Sequence, residues 1–243
     1  MKTVLITGGS RGIGAAAARA FAQAGWKVAI NYCRSAQAAQ ALAAELCAQG
    51  GQALAVPGDV AVRSQVVQMV ETVRKELGDP DLLINNAGIS QQALFTDLTE
   101  EDWDRMFAVH VKGAFHCCQE VLPAMIRRRS GQIINISSMW GQVGGSCEVH
   151  YSAAKAALIG FTKALAKEVG PSQVRVNCVA PGVIATEMNG HLSPADLEAL
   201  REETPLETIG TPEDVASLLV FLASDQARFI TGQVIAPNGG IVI

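Results

Sequence analysis

Three residues in the middle of the chain carry side chains suited to proton transfer at a carbonyl. Tyr151 and Lys155 stand four apart in Tyr151-Ser152-Ala153-Ala154-Lys155, so on a helix they share one face. A phenol alone is a poor acid–base group near neutrality, its ordinary pKa being about 10. A neighbouring ammonium favours the phenolate and is expected to bring that value down. Ser138 follows the apolar run Gln132–Ser137, which reads as a strand. Its hydroxyl suits hydrogen bonding to an oxygen on which negative charge develops. A proton donor, its tuner and an electrophilic stabiliser are what reduction of a ketone to an alcohol needs, with hydride taken from a nicotinamide. A Tyr-x-x-x-Lys pair is common on ordinary helices, so the assignment depends on a dinucleotide site elsewhere in the chain.

The N-terminus supplies that site. The strand-like run Val4–Thr7 leads through Thr7-Gly8-Gly9-Ser10-Arg11-Gly12-Ile13-Gly14 into a small-residue helix, Ile13–Ala24. Glycines permit the tight turn and let backbone N–H groups approach a pyrophosphate, and the helix N-terminus adds positive partial charge. A glycine-rich turn is a weak signal alone but a strong one between a strand and a helix. Gly8, Ser10, Arg11, Gly12, Ile13 and Gly14 are therefore candidate cofactor residues. An acid that would hold a ribose 2′-hydroxyl is expected at the end of the second strand, roughly 20 residues on. That place reads Asn31-Tyr32-Cys33-Arg34-Ser35, and Glu45 is the first acidic residue of the chain, after Lys2, Arg11, Arg19, Lys27 and Arg34. Such a field favours an extra phosphate, so the expected cofactor is NADP(H), with Arg11 and Arg34 near its 2′-phosphate.

Short apolar runs alternate with amphipathic stretches along the whole chain. Strands are expected at Lys27–Tyr32, Ala53–Pro57, Leu82–Asn85, Arg175–Val179 and Gln233–Ala236 in addition to those above. Helices are expected at Ala36–Gln49, Arg63–Leu77, Tyr151–Glu168 and Pro212–Ala223, with one or two more within Glu100–Arg127. Continuous apolar strands between helices predict a doubly wound α/β fold with a parallel sheet covered on both faces, three layers in all. No linker, repeat or low-complexity tract divides the 243 residues. A single domain is expected, its cofactor half at about 1–90 and its catalytic and substrate half at about 91–243.

With these motifs in place the chain resembles the short-chain dehydrogenase/reductases over its full length. The resemblance rests on the glycine turn, Asp59-Val60, Asn85-Asn86-Ala87-Gly88, Ser138, Tyr151 with Lys155, and Pro181-Gly182 with Thr186. It implies that Asp59 and Val60 meet the adenine, and that Asn86, Ala87 and Gly88 line the cofactor. It further implies that Pro181, Gly182, Val183 and Thr186 lie against the nicotinamide, and that Tyr151 and Lys155 hold its ribose. The family's usual fourth catalytic residue is an asparagine in an Asn-x-x-Gly stretch, which helps hold a water that relays protons to the lysine. Here the stretch is His110-Val111-Lys112-Gly113. Either His110 takes over the relay, since imidazole also donates and accepts, or it substitutes structurally and the relay runs through other waters.

Overall the chain is most similar to bacterial 3-oxoacyl-(acyl-carrier-protein) reductases of fatty acid synthesis, its ending Phe229-Ile230-Thr231-Gly232-Gln233 through Asn238-Gly239-Gly240 included. The stretches Ser137-Ser138-Met139-Trp140-Gly141 and Ser146-Cys147-Glu148-Val149 resemble a narrower branch, the elongation factor P 5-aminopentanone reductases. For that substrate Glu148 is a candidate partner of an ammonium group. Both readings imply a ketone delivered on a carrier protein. The basic residues Arg127, Arg128, Arg129, Lys163, Lys167 and Arg175 are candidates for docking it, or else complement helix C-termini. The segment Gly190–Pro205 is expected to cover the substrate, and the resemblance implies a homotetramer. A reader of a different class, an NADPH-binding redox sensor without turnover, is supported only by His110.

A net charge of −4 with 17% charged residues argues against nucleic acid as a partner. The apolar runs are too short for a membrane span or a signal peptide, so a cytoplasmic enzyme is expected. The cysteines lack metal-ligand spacing, and no metal is expected.

Overall fold

The computed structural model describes residues 1–190 and 193–243. Seven strands form one parallel sheet in the order β3-β2-β1-β4-β5-β6-β7. They are β1 (Thr3–Ile6), β2 (Lys27–Tyr32), β3 (Gln52–Pro57), β4 (Leu82–Asn85), β5 (Gly131–Ile136), β6 (Val174–Val179) and β7 (Val234–Ile235). Strand order reverses between β1 and β4. In an open parallel sheet this leaves a crevice at the carboxyl ends of those two strands, where ligands bind.

The side-chain alternation of each strand divides the core into two layers. Val4, Ile6, Val28, Ile30 and Ile84 face one side, against α1 (Gly12–Gln23), α2 (Ala36–Ala48) and α9 (Pro212–Ala223). Leu5, Ala29, Leu83, Ile133 and Val176 face the other, against α3 (Arg63–Leu77), α5 (Gly113–Arg128) and α7 (Val149–Val169). All of these sheet residues are fully buried, as strands covered on both faces must be. This is the doubly wound, three-layered single α/β domain expected from the alternation of runs.

Two helical features were not anticipated. The stretch 100–128 is broken: α4 (Glu100–Phe107) passes into a π turn over Ala108–Lys112 before α5 begins. A four-residue helix, α6 (Trp140–Val143), and an early start of α7 at Val149 shape the approach to Tyr151. Capping boxes start α4 (Thr99 with Asp102), α8 (Pro194–Glu203; Ser193 with Asp196) and α9 (Thr211 with Asp214). Among the described residues no helix is long and apolar enough to cross a membrane, and no group of three His, Cys, Asp or Glu could hold a metal.

Candidate active site

The crevice holds two adjoining cavities of about 430 and 320 Å³. Ile13, Asn86, Gly88, Ser90, Thr186 and Met188 line both, so together they form one cleft. Its first half is walled by the glycine turn (Gly8, Ser10, Arg11, Gly12), the end of β2 (Tyr32, Cys33, Arg34) and Asp59-Val60, with Ala87 between. The second half brings together His110, Ser138, Tyr151 and Lys155 with Pro181, Gly182 and Val183. Gly14 lines neither cavity. A Cβ there would lie 2.4 Å from the Gly8 carbonyl oxygen and 2.7 Å from Asn86 Nδ2, so its part is the close packing of turn against helix.

The turn is tied to the sheet from two sides. Asn31 Oδ1 accepts from the Gly8 N–H (3.2 Å), while its amide donates to the Gly58 carbonyl (3.0 Å). Asn86 Nδ2 donates to the carbonyls of Thr7 and Gly8, both at 3.0 Å. The Thr7 hydroxyl accepts from the N–H groups of Asn86 and Ala87. The backbone of the glycine turn is thus held by residues of neighbouring strands, and glycines keep it free of side chains. This is a preformed cradle of the kind a pyrophosphate requires.

Charges at the β2 end are partly spent. Arg11 pairs with Glu187 at 3.3 Å, both side chains well exposed. Arg105, which no motif singles out, reaches in from α4 to pair with Asp59 at 3.2 Å. Arg34 makes no ion pair or hydrogen bond among the described residues, and it lines the same wall. An exposed pair such as Arg11–Glu187 contributes only about 0–1 kcal/mol, so a phosphate can compete with Glu187 for that guanidinium.

In the catalytic half, β5 and α7 fix the geometry through Lys155. Its Nζ donates to the Ile136 carbonyl at 2.8 Å, and its own carbonyl accepts from the Ser137 hydroxyl at 2.8 Å. Farther along α7, the Thr162 hydroxyl accepts from Asn135, which in turn accepts from Asn85 (both 2.8 Å). Lys155 is almost fully buried, and desolvation brings its pKa down to about 8. Its Nζ lies 5.5 Å from the centre of the Tyr151 ring. The expected lowering of the tyrosine is not what the site shows. Burial pushes Tyr151 up to about 12, only partly offset by a hydrogen bond with Ser138. Desolvation decides the sign, and the charge of Glu148 adds to it. Tyr151 is therefore protonated at neutral pH, the form able to give a proton to a substrate oxygen. Ser138 Oγ also accepts from the Trp140 N–H at 3.2 Å, which orients the hydroxyl.

His110 sits in the π turn, buried, its ring edge-on to Tyr151 at 5.5 Å between centres. One nitrogen, Nε2, meets both backbone groups of Ile89, the carbonyl at 2.8 Å and the N–H at 3.1 Å. Nδ1 is buried without a hydrogen-bond partner among the described residues. Burial first, and Lys155 second, hold the ring well below the ordinary histidine value, so it is neutral. Glu148, at the N-terminus of α7, lines the catalytic cavity and acts on Tyr151 through its charge.

Several surrounding residues had no sequence signal. Ser90, Gln92 and Met188 line the catalytic cavity from segments distant in the chain, beside Trp140 of the stretch read next to Ser138. His150 lies buried beside Tyr151, its Nε2 3.3 Å from Gln91 Oε1, and Gln91 in turn donates to Asp102 at 2.9 Å. The segment 190–205 contributes Leu200 to the wall; its residues 191 and 192 lie outside the described residues.

A family described as enoyl-(acyl carrier protein) reductase matches residues 8–242. That span takes in the cradle, the paired Asn86, and the Ser138–Tyr151–Lys155 set. The chain is a short-chain dehydrogenase/reductase. Membership makes it an oxidoreductase of ketone and alcohol groups. It is 41% identical over 240 residues to the 3-oxoacyl-[acyl-carrier-protein] reductase FabG of Staphylococcus epidermidis, covering 99% of this chain and 98% of that protein. It is 43% identical over 243 residues to the 3-oxoacyl-[acyl-carrier-protein] reductase of Synechocystis, covering 100% and 97%. To the FabG of Chlamydia trachomatis it is 41% identical over 241 residues, covering 99% and 97%.

Proposed function

We propose that this short-chain dehydrogenase/reductase reduces a 3-oxoacyl thioester presented on an acyl carrier protein, using NADPH, as a cytoplasmic homotetramer. The observation that carries the reading is one cleft with a phosphate cradle and Arg34 at one end and Tyr151, Lys155 and Ser138 at the other. A bound nicotinamide dinucleotide supplies the hydride. Tyr151, protonated and desolvated, gives its proton to the substrate oxygen, and Ser138 hydrogen-bonds that oxygen as charge develops. Lys155, held by Ile136 and still mostly protonated at neutral pH with its pKa brought down to about 8, is poised to pass a proton on to Tyr151. His110 joins this set through Nδ1, the ring nitrogen that Ile89 does not occupy.

Arg34, without a partner among the described residues, supports the choice of NADPH over NADH. The exposed apolar side chains of Trp103, Phe115, Ile126 and Phe229 support assembly through α4, α5 and the C-terminal segment. Carrier docking would use Arg127, Lys163 and Lys167, which are exposed. Arg128, Arg129 and Arg175 are committed to the carbonyls of Pro80, Pro171 and Leu222, so they serve mainly as struts.

The test is loss of NADPH absorbance with an acetoacetyl thioester. Tyr151→Phe should lower turnover by about 10²–10⁴-fold while NADPH still binds. Undiminished turnover in that variant would overturn the assignment. The carboxylate of Glu148 in the catalytic cavity favours a second substrate reading, a ketone that carries an ammonium group, as on 5-aminopentanone-modified elongation factor P. Loss of turnover of an aminoketone, but not of the acetoacetyl thioester, in Glu148→Gln would decide for it.

A further inference from the structure

His110 and His150 come from different elements, the π turn and α7, and both reach the same short loop after β4. His110 Nε2 holds Ile89, accepting from its N–H or donating to its carbonyl according to the tautomer. His150 holds Gln91, whose amide is secured in turn by Asp102 at the start of α4. Two positions on, the Ala93 N–H donates to the Cys147 carbonyl at 2.9 Å, just before α7. The residues alternating with the held ones, Ser90 and Gln92, line the catalytic cavity. The loop is thus fastened at every second residue, and its free side chains are presented to substrate.

We propose that His110 and His150 are positioning residues which together fasten the 89–93 loop against the catalytic cavity, and that protonating them releases it. The chemistry is asymmetric. A neutral imidazole can accept from the Ile89 N–H or donate to its carbonyl, whereas an imidazolium can only donate. Each ring also keeps a second nitrogen, Nδ1, buried without a partner among the described residues. Charging either ring would place a cation and an unsatisfied N–H inside the protein. Around His110 the charged and titratable groups are Tyr151, Lys155 and His150, all on α7, while the loop offers it only backbone. Around His150 they are Asp102, on α4, and His110. Burial holds both rings below the ordinary histidine pKa, and Asp102 only partly offsets this for His150.

The direction follows from linkage. Closed, both rings stay neutral; open in water, each returns to about 6.5, so acid favours the open loop. At about pH 5.5 opening should be roughly tenfold easier than at about pH 7 through His110, and easier still through His150, up to about a hundredfold with both.

The measurement is hydrogen exchange of the peptide covering residues 88–95 in the whole protein, corrected for the intrinsic pH dependence of exchange. In wild type, protection should fall by more than about tenfold and up to about a hundredfold between those pH values. His110→Gln and His150→Gln place an untitratable amide at the reach of Nε2, and each should make the fall smaller than in wild type, His110→Gln by about tenfold. Protection that ignores pH in wild type, or an equal fall in both variants and wild type, would overturn the proposal. The idea that opening costs activity rests on the reductase reading and has its own readout. The acid limb of kcat/KM for the acetoacetyl thioester should be steeper in wild type than in His150→Gln. Equal slopes with normal turnover would refute that coupling, whereas absence of turnover at every pH would count against the reductase reading and leave the exchange result standing.

Discussion

Substitution of Gly88 by alanine should strike the site through His110. A Cβ at position 88 would lie 2.6 Å from His110 Cε1 and 3.3 Å from Nδ1. Ordinary carbon–carbon contact is about 3.5–4.0 Å, so the ring must move by about 1 Å. Gly88 does not have the positive φ that only glycine adopts readily, so the backbone itself accepts alanine and the cost is one of crowding. The displaced ring gives up Ile89, leaving a part-buried backbone group without its partner, at about 1–3 kcal/mol. Residual overpacking adds to this, and a total of about 2–4 kcal/mol is expected. His110→Ala should cost a similar amount, through the same lost bonds and the cavity it leaves. The double variant should not suffer twice, because the new methyl enters space that the ring has vacated. Urea unfolding with an unchanged m-value should give a coupling of about 2 kcal/mol in the sense of mutual relief. Additivity within about 0.5 kcal/mol would show that the ring is not pinned between Gly88 and Ile89.

Two further perturbations read the charges of the cleft. Lys155 is neutral more readily when folded than when unfolded, its pKa being lowered from 10.5 to about 8. Stability should therefore rise with pH through that window relative to Lys155→Met, by about 2–3 kcal/mol between roughly pH 8 and 10, as thermal or urea unfolding would report. Tyr151 acts with the opposite sign above its ordinary value, because the folded protein retains a proton that the unfolded chain releases. At the other end of the cleft, Arg34→Ala should raise KM for NADPH by about 10–100-fold and leave KM for NADH nearly unchanged, the loss of a charge-assisted contact being about 1.5–3 kcal/mol. Steady-state kinetics with both cofactors decides it, and equal effects on the two would remove Arg34 from the phosphate subsite.

The fold was legible because its signals are local. Lys27–Tyr32, Arg63–Leu77, Leu82–Asn85 and Pro212–Ala223 begin and end as read from the sequence. They are apolar or amphipathic runs bounded by punctuating residues such as Gly78 and the Thr211-Pro212 box. The cleft was legible for the same reason, its cradle and Ser138 standing just past strands and Tyr151 and Lys155 one turn apart on α7, all in short motifs. What escaped depends on distance along the chain or on competition between forces. Nothing near Arg105 announces Asp59, 46 positions away, and nothing near His150 announces Gln91. The π turn at 108–112 breaks no pattern of hydrophobicity, since both helices around it stay amphipathic. The sign of the Tyr151 shift could not be read from its spacing to Lys155, because burial, a tertiary property, decides it.

The Arg11–Glu187 bridge joins residues 176 positions apart across the rim of the cleft. Being exposed, it is weak, and breaking it costs only about 0–1 kcal/mol. Traffic through this opening is accordingly cheap, and it should quicken with ionic strength, since screening acts on exposed charges first. A molecule as highly charged as a dinucleotide phosphate can trade places with Glu187 on Arg11 on its way in and hand the guanidinium back on leaving. The rim behaves as a turnstile whose bar is replaced by each passenger.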